Sequence, residues 1–222
     1  MTLADGLPHF SSGDGWASWT TGLEARGRKI VSLIEHFRDQ PDEHGLQFAH
    51  AFLVDIEKWK SMCLKERMGN AGLNSPASVW AAFWGAVTGS TDLQKIEAVM
   101  SLKGFGSSTD ADTGMRRAKV ASSVLRFLNP AEWGVVDWRT LAIRSALTKC
   151  NGDIDLALKE AGRSRAQDMR KLFDIVDGQV VCGEVKAYRQ MRAESPLSRA
   201  ADIDMALFGL SLTVWPLPNK ET

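Results

Sequence analysis

The amino-acid sequence predicts an all-α protein, and three observations carry this prediction. Apolar residues recur at spacings of three and four along the whole chain, which is the period of an amphipathic helix. β-branched residues never alternate with polar ones over a long stretch, so strand signals are nearly absent. Helix-starting and helix-breaking pairs, such as Ser75-Pro76 and Asn129-Pro130, divide the chain into about nine or ten helices. We expect one domain over residues 1–222, or two packed helical halves of it with the functional site between them.

In the N-terminal half, the apolar periodicity predicts four helices separated by polar or glycine-containing turns. A Gly/Ser-rich lead-in precedes the first helix, and Gln40-Pro41-Asp42 ends it. Ser75 is a typical N-cap, and Pro76 suits the first turn of the third helix. The first and fourth predicted helices cover residues 20–38 and 92–102. The second is long, has its apolar residues between Phe48 and Met62, and closes near Gly69-Asn70. The third starts at Ser75-Pro76 and carries apolar residues as far as Trp84.

In the C-terminal half, Asn129-Pro130 separates two predicted helices, and a short extended stretch over residues 134–136 leads into the second of them. Further apolar stripes predict more helices towards the C-terminus. The tail from Trp215 to Pro218 carries two prolines and should be extended. The predicted helices cover residues 115–128, 138–148, 154–161, 165–176, 181–193 and 201–210.

The charge of the chain is balanced overall but not locally. The 27 basic residues equal the 27 acidic ones, so the whole protein has no net field that would attract a polyanion. Between Lys103 and Cys150, however, eight basic residues stand against four acidic ones. Any contact with nucleic acid should therefore come from this segment.

The three cysteines, Cys63, Cys150 and Cys182, are widely separated and form no CxxC pair. This pattern favours neither a disulfide framework nor a metal site, and a reducing cytoplasm fits it best. No basic N-terminal region precedes an apolar run, and eighteen apolar residues never occur in succession. We expect a cytoplasmic protein with no metal, no cofactor and no membrane span.

Two glycines around one apolar residue, Gly104-Phe105-Gly106, open the segment that carries the most information. Glycines at such spacing let backbone N–H groups approach a phosphate closely. A plain turn between two helices is the alternative, because a lone Gly-x-Gly is a weak signal.

Lys119 follows this turn at the start of a predicted helix. Val120, Ala121, Val124, Phe127 and Leu128 form the apolar face of that helix, and Lys119 shares the other face with Arg116, Ser122, Ser123 and Arg126. Lys119 is therefore not expected in the core. It is either a solvated surface lysine or an amine placed for chemistry.

Asp137 follows two valines and precedes the next helix, so its position suits an N-cap that accepts unpaired backbone N–H groups. A catalytic carboxylate is the second interpretation of the same residue. The two roles are compatible.

These stretches together resemble the helix-hairpin-helix DNA glycosylase superfamily. The resemblance rests on residues 102–106, on Lys119-Val120-Ala121, on Asn129-Pro130 and on Val136-Asp137, and it covers roughly residues 101–148. Residues 199–208 are also similar to the closing helix of small bacterial relatives of the oxoguanine glycosylases. In one departure, residues 107–114 enlarge the hairpin before its second helix.

The resemblance implies that Lys119 attacks the sugar C1′ and forms a Schiff base, and that Asp137 assists. It further implies that Trp138 lines the base pocket. The residues that it implies bind the phosphates of double-stranded DNA are Gly104, Phe105, Gly106, Arg116, Arg117 and Arg139.

The function implied is a monomeric DNA glycosylase, with associated lyase activity at the abasic sugar. The substrate would be oxidised guanine, as in base-excision repair, or a hypermodified cytosine of phage DNA, as in antiviral defence. Flipping the base also needs an apolar or aromatic wedge. The alternative from another class is a non-catalytic helix-hairpin-helix module that only binds DNA.

Overall fold

A computed structural model describes residues 1–11, 16–61, 69–106, 118–174 and 176–217 of the chain. Within these ranges the regular structure is helical throughout and no strand occurs, so the all-α prediction is confirmed. None of the helices in the described part is long and apolar enough to cross a membrane.

Eleven α-helices and two short 3₁₀ helices, Leu3–Asp5 and Ala71–Leu73, lie in the described ranges. In chain order the α-helices are α1 (Gly6–Ser11), α2 (Trp16–Phe37), α3 (Glu43–Ser61), α4 (Pro76–Thr88), α5 (Asp92–Met100), α6 (Lys119–Leu128), α7 (Trp138–Lys149), α8 (Ile154–Ala161), α9 (Ala166–Leu172), α10 (Gly178–Ala193) and α11 (Ala200–Val214).

Several helices begin where the sequence supplies a capping side chain. Ser75 accepts a hydrogen bond from the backbone of Ser78, with Pro76 in the first turn of α4, as predicted. Thr91 and Gln94 form a reciprocal capping box at the start of α5. These caps satisfy backbone donors that a helix leaves unpaired, and they explain why the predicted starts of both helices are correct.

The buried apolar side chains form one hydrophobic core to which most of the helices contribute. Helix α6 lies at its centre and packs against α2, α3, α5 and α10. Every residue of α6 from Ala121 to Leu128 is buried. The prediction of a polar face on this helix is therefore wrong: Ser122, Ser123 and Arg126 are all fully buried.

Other differences concern helix ends. Helix α9 ends at Leu172, four residues before the predicted end, and α11 continues to Val214. The short helix α1, which was not predicted, packs along α11. The predicted start of α6 near residue 115 lies outside the described residues, among which α6 begins at Lys119.

Candidate active site

After α6 ends at Leu128, residues 129–133 turn the chain and the extended segment 134–137 leads into α7; buried polar groups hold this segment in place. The backbone N–H of Val135 donates to the Asp204 carboxylate at 2.6 Å, and that of Val136 donates to Ser122 Oγ at 2.9 Å. The Tyr188 hydroxyl donates to the Val135 carbonyl at 3.2 Å. Because the backbone is fixed on both sides, the position of the next residue, Asp137, is fixed as well.

Asp137 is the N-cap of α7, as the sequence predicts. Its Oδ1 atom accepts hydrogen bonds from the backbone N–H groups of Arg139 at 2.8 Å and Thr140 at 3.1 Å. The Thr140 hydroxyl in turn accepts from the Asp137 N–H at 3.1 Å. The second oxygen, Oδ2, lies 3.7 Å from Lys60 Nζ, and the side chain retains 19% of its exposure. One carboxylate oxygen therefore caps the helix while the other faces the neighbouring charges.

Lys119 is the first residue of α6, and only 13% of its side chain is exposed. Its ammonium donates to the Phe173 carbonyl at 2.9 Å and lies 3.4 Å from Asp174 Oδ1. Burial lowers the pKa of Lys119 below its usual value, although the charge of Asp174 opposes the change. A lowered pKa increases the fraction of neutral amine, which is the nucleophilic form.

The fold brings Lys119 and Asp137 into one group of interacting charges. The charges of Asp137 and Lys60 both act on Lys119, in opposite directions. We call the set Lys60, Lys119, Asp137 and Asp174 the amine–carboxylate cluster. It contains two cations and two anions, and it is assembled from α3, from the starts of α6 and α7, and from the end of α9.

The turn at residues 102–106 has the backbone conformation that glycine allows. Gly104 and Gly106 have φ angles of +82° and +112°, in the region that other residues rarely adopt. Asn74 braces the turn, since its side chain accepts from the Lys103 N–H at 2.8 Å and donates to the Lys103 carbonyl at 3.2 Å. Phe105 is buried, so it anchors the turn in the core. Any part Phe105 has in DNA contact must come through its backbone.

The predicted phosphate contact of Arg139 has to be corrected, because such a contact requires an accessible guanidinium. The residue is 7% exposed, and its Nη1 donates to the Trp215 carbonyl at 2.5 Å and to Ser211 Oγ at 3.3 Å. The guanidinium also stacks over the Trp138 ring at 4.6 Å. Arg139 thus ties α7 to the end of α11, and the structure gives it no surface for a phosphate.

The remaining predicted residues have different outcomes. Trp138 is half-buried and packs against Trp215, with ring centres 5.5 Å apart. Its contacts are with the C-terminal tail, and its place in a base pocket stays a prediction. Arg116 and Arg117 lie outside the described residues.

Three residues near the site were not predicted: Lys60, Asp174 and Leu73. Leu73 is 62% exposed in the 3₁₀ helix Ala71–Leu73, and the next residue, Asn74, hydrogen-bonds to the glycine turn. The Glu57 carboxylate accepts from the N–H groups of residues 69, 70 and 71, so this loop is firmly held. The sequence does not mark Leu73, because its exposure and the rigidity of its loop are known only from the structure.

A cavity of about 420 Å³ lies elsewhere, bounded in part by Arg144 and Thr148 in the second half of α7. Asp137 caps the opposite end of that helix, roughly 10 Å from Arg144 and 16 Å from Thr148 at 1.5 Å per residue. The cavity is therefore separate from the amine–carboxylate cluster.

Comparison with protein-family models, with curated proteins and with solved structures finds no match to this chain.

Proposed function

We propose that this protein is a DNA glycosylase that excises a modified base, with Lys119 as the nucleophile and Asp137 as the assisting carboxylate. The observation that carries the proposal is the amine–carboxylate cluster, in which a largely buried lysine of lowered pKa interacts with a fixed N-cap carboxylate. Few structural roles need both features at the same surface.

The chemistry follows from the two side chains. The neutral Lys119 amine attacks C1′ of the sugar, the bond from C1′ to the base breaks, and the base leaves with the electron pair and takes up a proton. Transfer of one amine proton to the ring oxygen O4′ and cleavage of the C1′–O4′ bond give a protonated Schiff base, and removal of a 2′ proton then expels the 3′ phosphate by β-elimination. Positive charge develops on the sugar as the base departs, and the Asp137 carboxylate stabilises it.

The surface beside the cluster suits a DNA backbone. The Gly104–Gly106 turn has left-handed backbone at both glycines, a conformation that lets backbone N–H groups approach a phosphate. Arg116 and Arg117 follow the turn in sequence and remain part of the proposed phosphate-binding set. Leu73, exposed on its rigid loop, is the proposed wedge that fills the stack when the base leaves it.

One observation favours the non-catalytic alternative. The Lys119 ammonium is already hydrogen-bonded to the Phe173 carbonyl and paired with Asp174, as a purely structural lysine would be. A protein of this second kind would bind DNA through the glycine turn without cleaving it.

The deciding experiment uses duplex oligonucleotides that carry oxidised guanine, hypermodified cytosines or an unmodified control. Borohydride reduction should trap a covalent protein–DNA complex with at least one modified base, and Lys119→Gln should abolish it. Lys58→Gln, on the exposed side of α3, is the matched control and should trap normally. Trapping that survives Lys119→Gln would assign the nucleophile elsewhere, and binding without excision would favour the alternative.

A further inference from the structure

Lys60 is the second amine of the cluster, and its placement differs from that of an ordinary surface lysine. It lies near the end of α3, its side chain is 21% exposed, and its Nζ is 3.7 Å from Asp137 Oδ2. Lys58, two residues earlier, is 47% exposed and pairs at 3.1 Å with Asp55 of the same helix. Lys60 instead reaches across to the start of α7.

The charges around Lys119 act in opposite directions. Burial and the charge of Lys60 lower the pKa of Lys119, whereas the carboxylates of Asp174 and Asp137 raise it. Asp204 of α11, which accepts the Val135 N–H, also interacts electrostatically with Lys60 and Asp137. Among the described residues that act on Lys119, Lys60 is thus the cation that offsets two anions.

Lys60 also constrains the carboxylate. Asp137 Oδ1 is held by two backbone N–H groups, and Lys60 attracts Oδ2 from the other side. A carboxylate restrained at both oxygens keeps one orientation when a cationic sugar forms beside it.

We propose that Lys60 is a positioning residue of this site: from the end of α3 it holds Asp137 Oδ2 towards the reacting sugar, and it places a second cation in the cluster that contains Lys119. The effect on excision rests on the proposed function. The effect on the Lys119 amine is a property of the free protein and is measured without DNA.

The first measurement is competitive labelling of the lysines with trace acetic anhydride across a pH series, read by peptide mass spectrometry. In Lys60→Met the midpoint for Lys119 labelling should move to higher pH, because a like charge has been removed. Lys60→Arg should retain the wild-type midpoint, and so should Lys58→Met. Lys60→Gln repeats the test in case the methionine variant folds poorly. An unchanged Lys119 midpoint in both neutral variants would overturn the proposal.

The second measurement is the pH profile of single-turnover excision on whichever modified oligonucleotide the wild-type protein cleaves. In Lys60→Met the acid limb of the pH profile should shift to higher pH. Below the midpoint, the rate should fall about tenfold for each pH unit of that shift. Covalent trapping should persist, since Lys119 remains. Loss of trapping would show that Lys60 is itself the nucleophile, which contradicts the proposal.

Failure of the proposed function and failure of the inference about Lys60 give different results. If the wild-type protein cleaves no modified DNA but labelling of Lys119 still depends on Lys60, the proposed function fails and the electrostatic role stands. If excision occurs and neither the labelling midpoint nor the acid limb responds to Lys60→Met, the inference alone fails.

Discussion

Two groups of charges meet at the segment 134–137, and they differ in their access to water. The first, which we call the buried ion cluster, consists of Glu24, Arg126 and Asp204, whose side chains are 9%, 0% and 6% exposed. Arg126 lies 2.8 Å from Glu24 and 3.7 Å from Asp204, and Asp204 accepts the Val135 N–H. The side chains of the amine–carboxylate cluster retain between 13% and 44% of their exposure.

The difference separates structural from reactive charge. The buried ion cluster extends to Arg199, which pairs with Glu24 at 2.7 Å, and through Asp204 it holds the segment that carries Asp137. In the amine–carboxylate cluster the side chains stay partly exposed, and the partial burial still lowers the pKa of Lys119. Substitutions in the first cluster should therefore affect stability, and those in the second should affect chemistry.

The largest effect on stability is expected for Arg126→Met. It removes the cation beside the buried Asp204 and leaves Glu24 to its second partner, Arg199, at a cost of roughly 3–5 kcal/mol in the free energy of unfolding. Lys119→Gln should cost less than about 1 kcal/mol, because Asp174 is 44% exposed and water can replace the lost partner. Urea unfolding of the two variants beside the wild type measures both values. Equal losses would remove the distinction between the clusters.

The next effect concerns pH. Burial raises the pKa of Asp204 to about 7, although Arg126 opposes the shift, so the folded state holds a proton that the unfolded state releases near pH 4. Asp204 therefore makes the protein less stable as pH rises from about 4 to 7, and the loss levels off above that range. The Asp204→Asn variant should lack this decrease in the free energy of unfolding.

Asp55→Asn is the control of opposite sign. Burial raises the pKa of Asp55, but the hydrogen bonds from Arg26 and Lys58 outweigh it and the net pKa is lowered. Asp55 thus adds stability that is lost as pH falls below its unfolded value. Denaturation should be measured between pH 3 and 8 for the wild type and both variants. The difference in free energy of unfolding between wild type and variant should fall with pH for Asp204→Asn and rise with pH for Asp55→Asn. Slopes of the same sign would contradict the assignment of Asp204.

A smaller effect is expected in the glycine turn. Gly104→Ala places a side chain in the left-handed region, and its Cβ would lie 2.3 Å from Cβ of Asn70. Holding alanine in the left-handed backbone conformation alone costs about 1–2 kcal/mol in the free energy of unfolding. Gly72→Ala, where a Cβ meets nothing within 4 Å, should change stability by less than about 0.5 kcal/mol. Thermal melts of the pair test this, and a tolerated alanine at Gly104 would mean that the turn is not required.

The smallest stability effect and a moderate functional one are expected for Leu73→Ala. The side chain is exposed, so the melting temperature should not change. Excision should fall about tenfold, or about 1.4 kcal/mol, because the gap left by the flipped base is no longer filled. Leu156→Ala, an exposed leucine on α8, is the matched control. Equal excision by both variants would rule out Leu73 as the wedge.

Much of the fold follows from the sequence, because helix α8 and the caps at Ser75 and Asp137 are set by local patterns. The polar face of α6 was misjudged because Ser122 and Arg126 meet buried partners from distant elements, namely Val136, Glu24 and Asp204. Periodicity reports which residues share a face and does not report what covers that face.

The candidate site was predictable only in part. Lys119 and Asp137 stand out through their places at helix starts, whereas Lys60 and Asp174 join them only through tertiary packing. Arg139 looked like a surface cation, yet its long side chain turns inward to the Trp215 carbonyl. A basic residue beside a predicted site is thus ambiguous until its burial is known.

The central claim is that the charge of Asp137 serves chemistry and not only the helix that it caps. The direct test compares thermal melts and single-turnover excision for wild type and Asp137→Asn, with Asp153→Asn, the N-cap of α8, as control. Asparagine is also a good N-cap, so the free energy of unfolding of both variants should lie within about 1 kcal/mol of the wild-type value. Excision by Asp137→Asn should fall roughly 10²–10³-fold, while Asp153→Asn keeps the wild-type rate. An Asp137→Asn protein that melts normally and excises at the wild-type rate would show that Asp137 is only a cap.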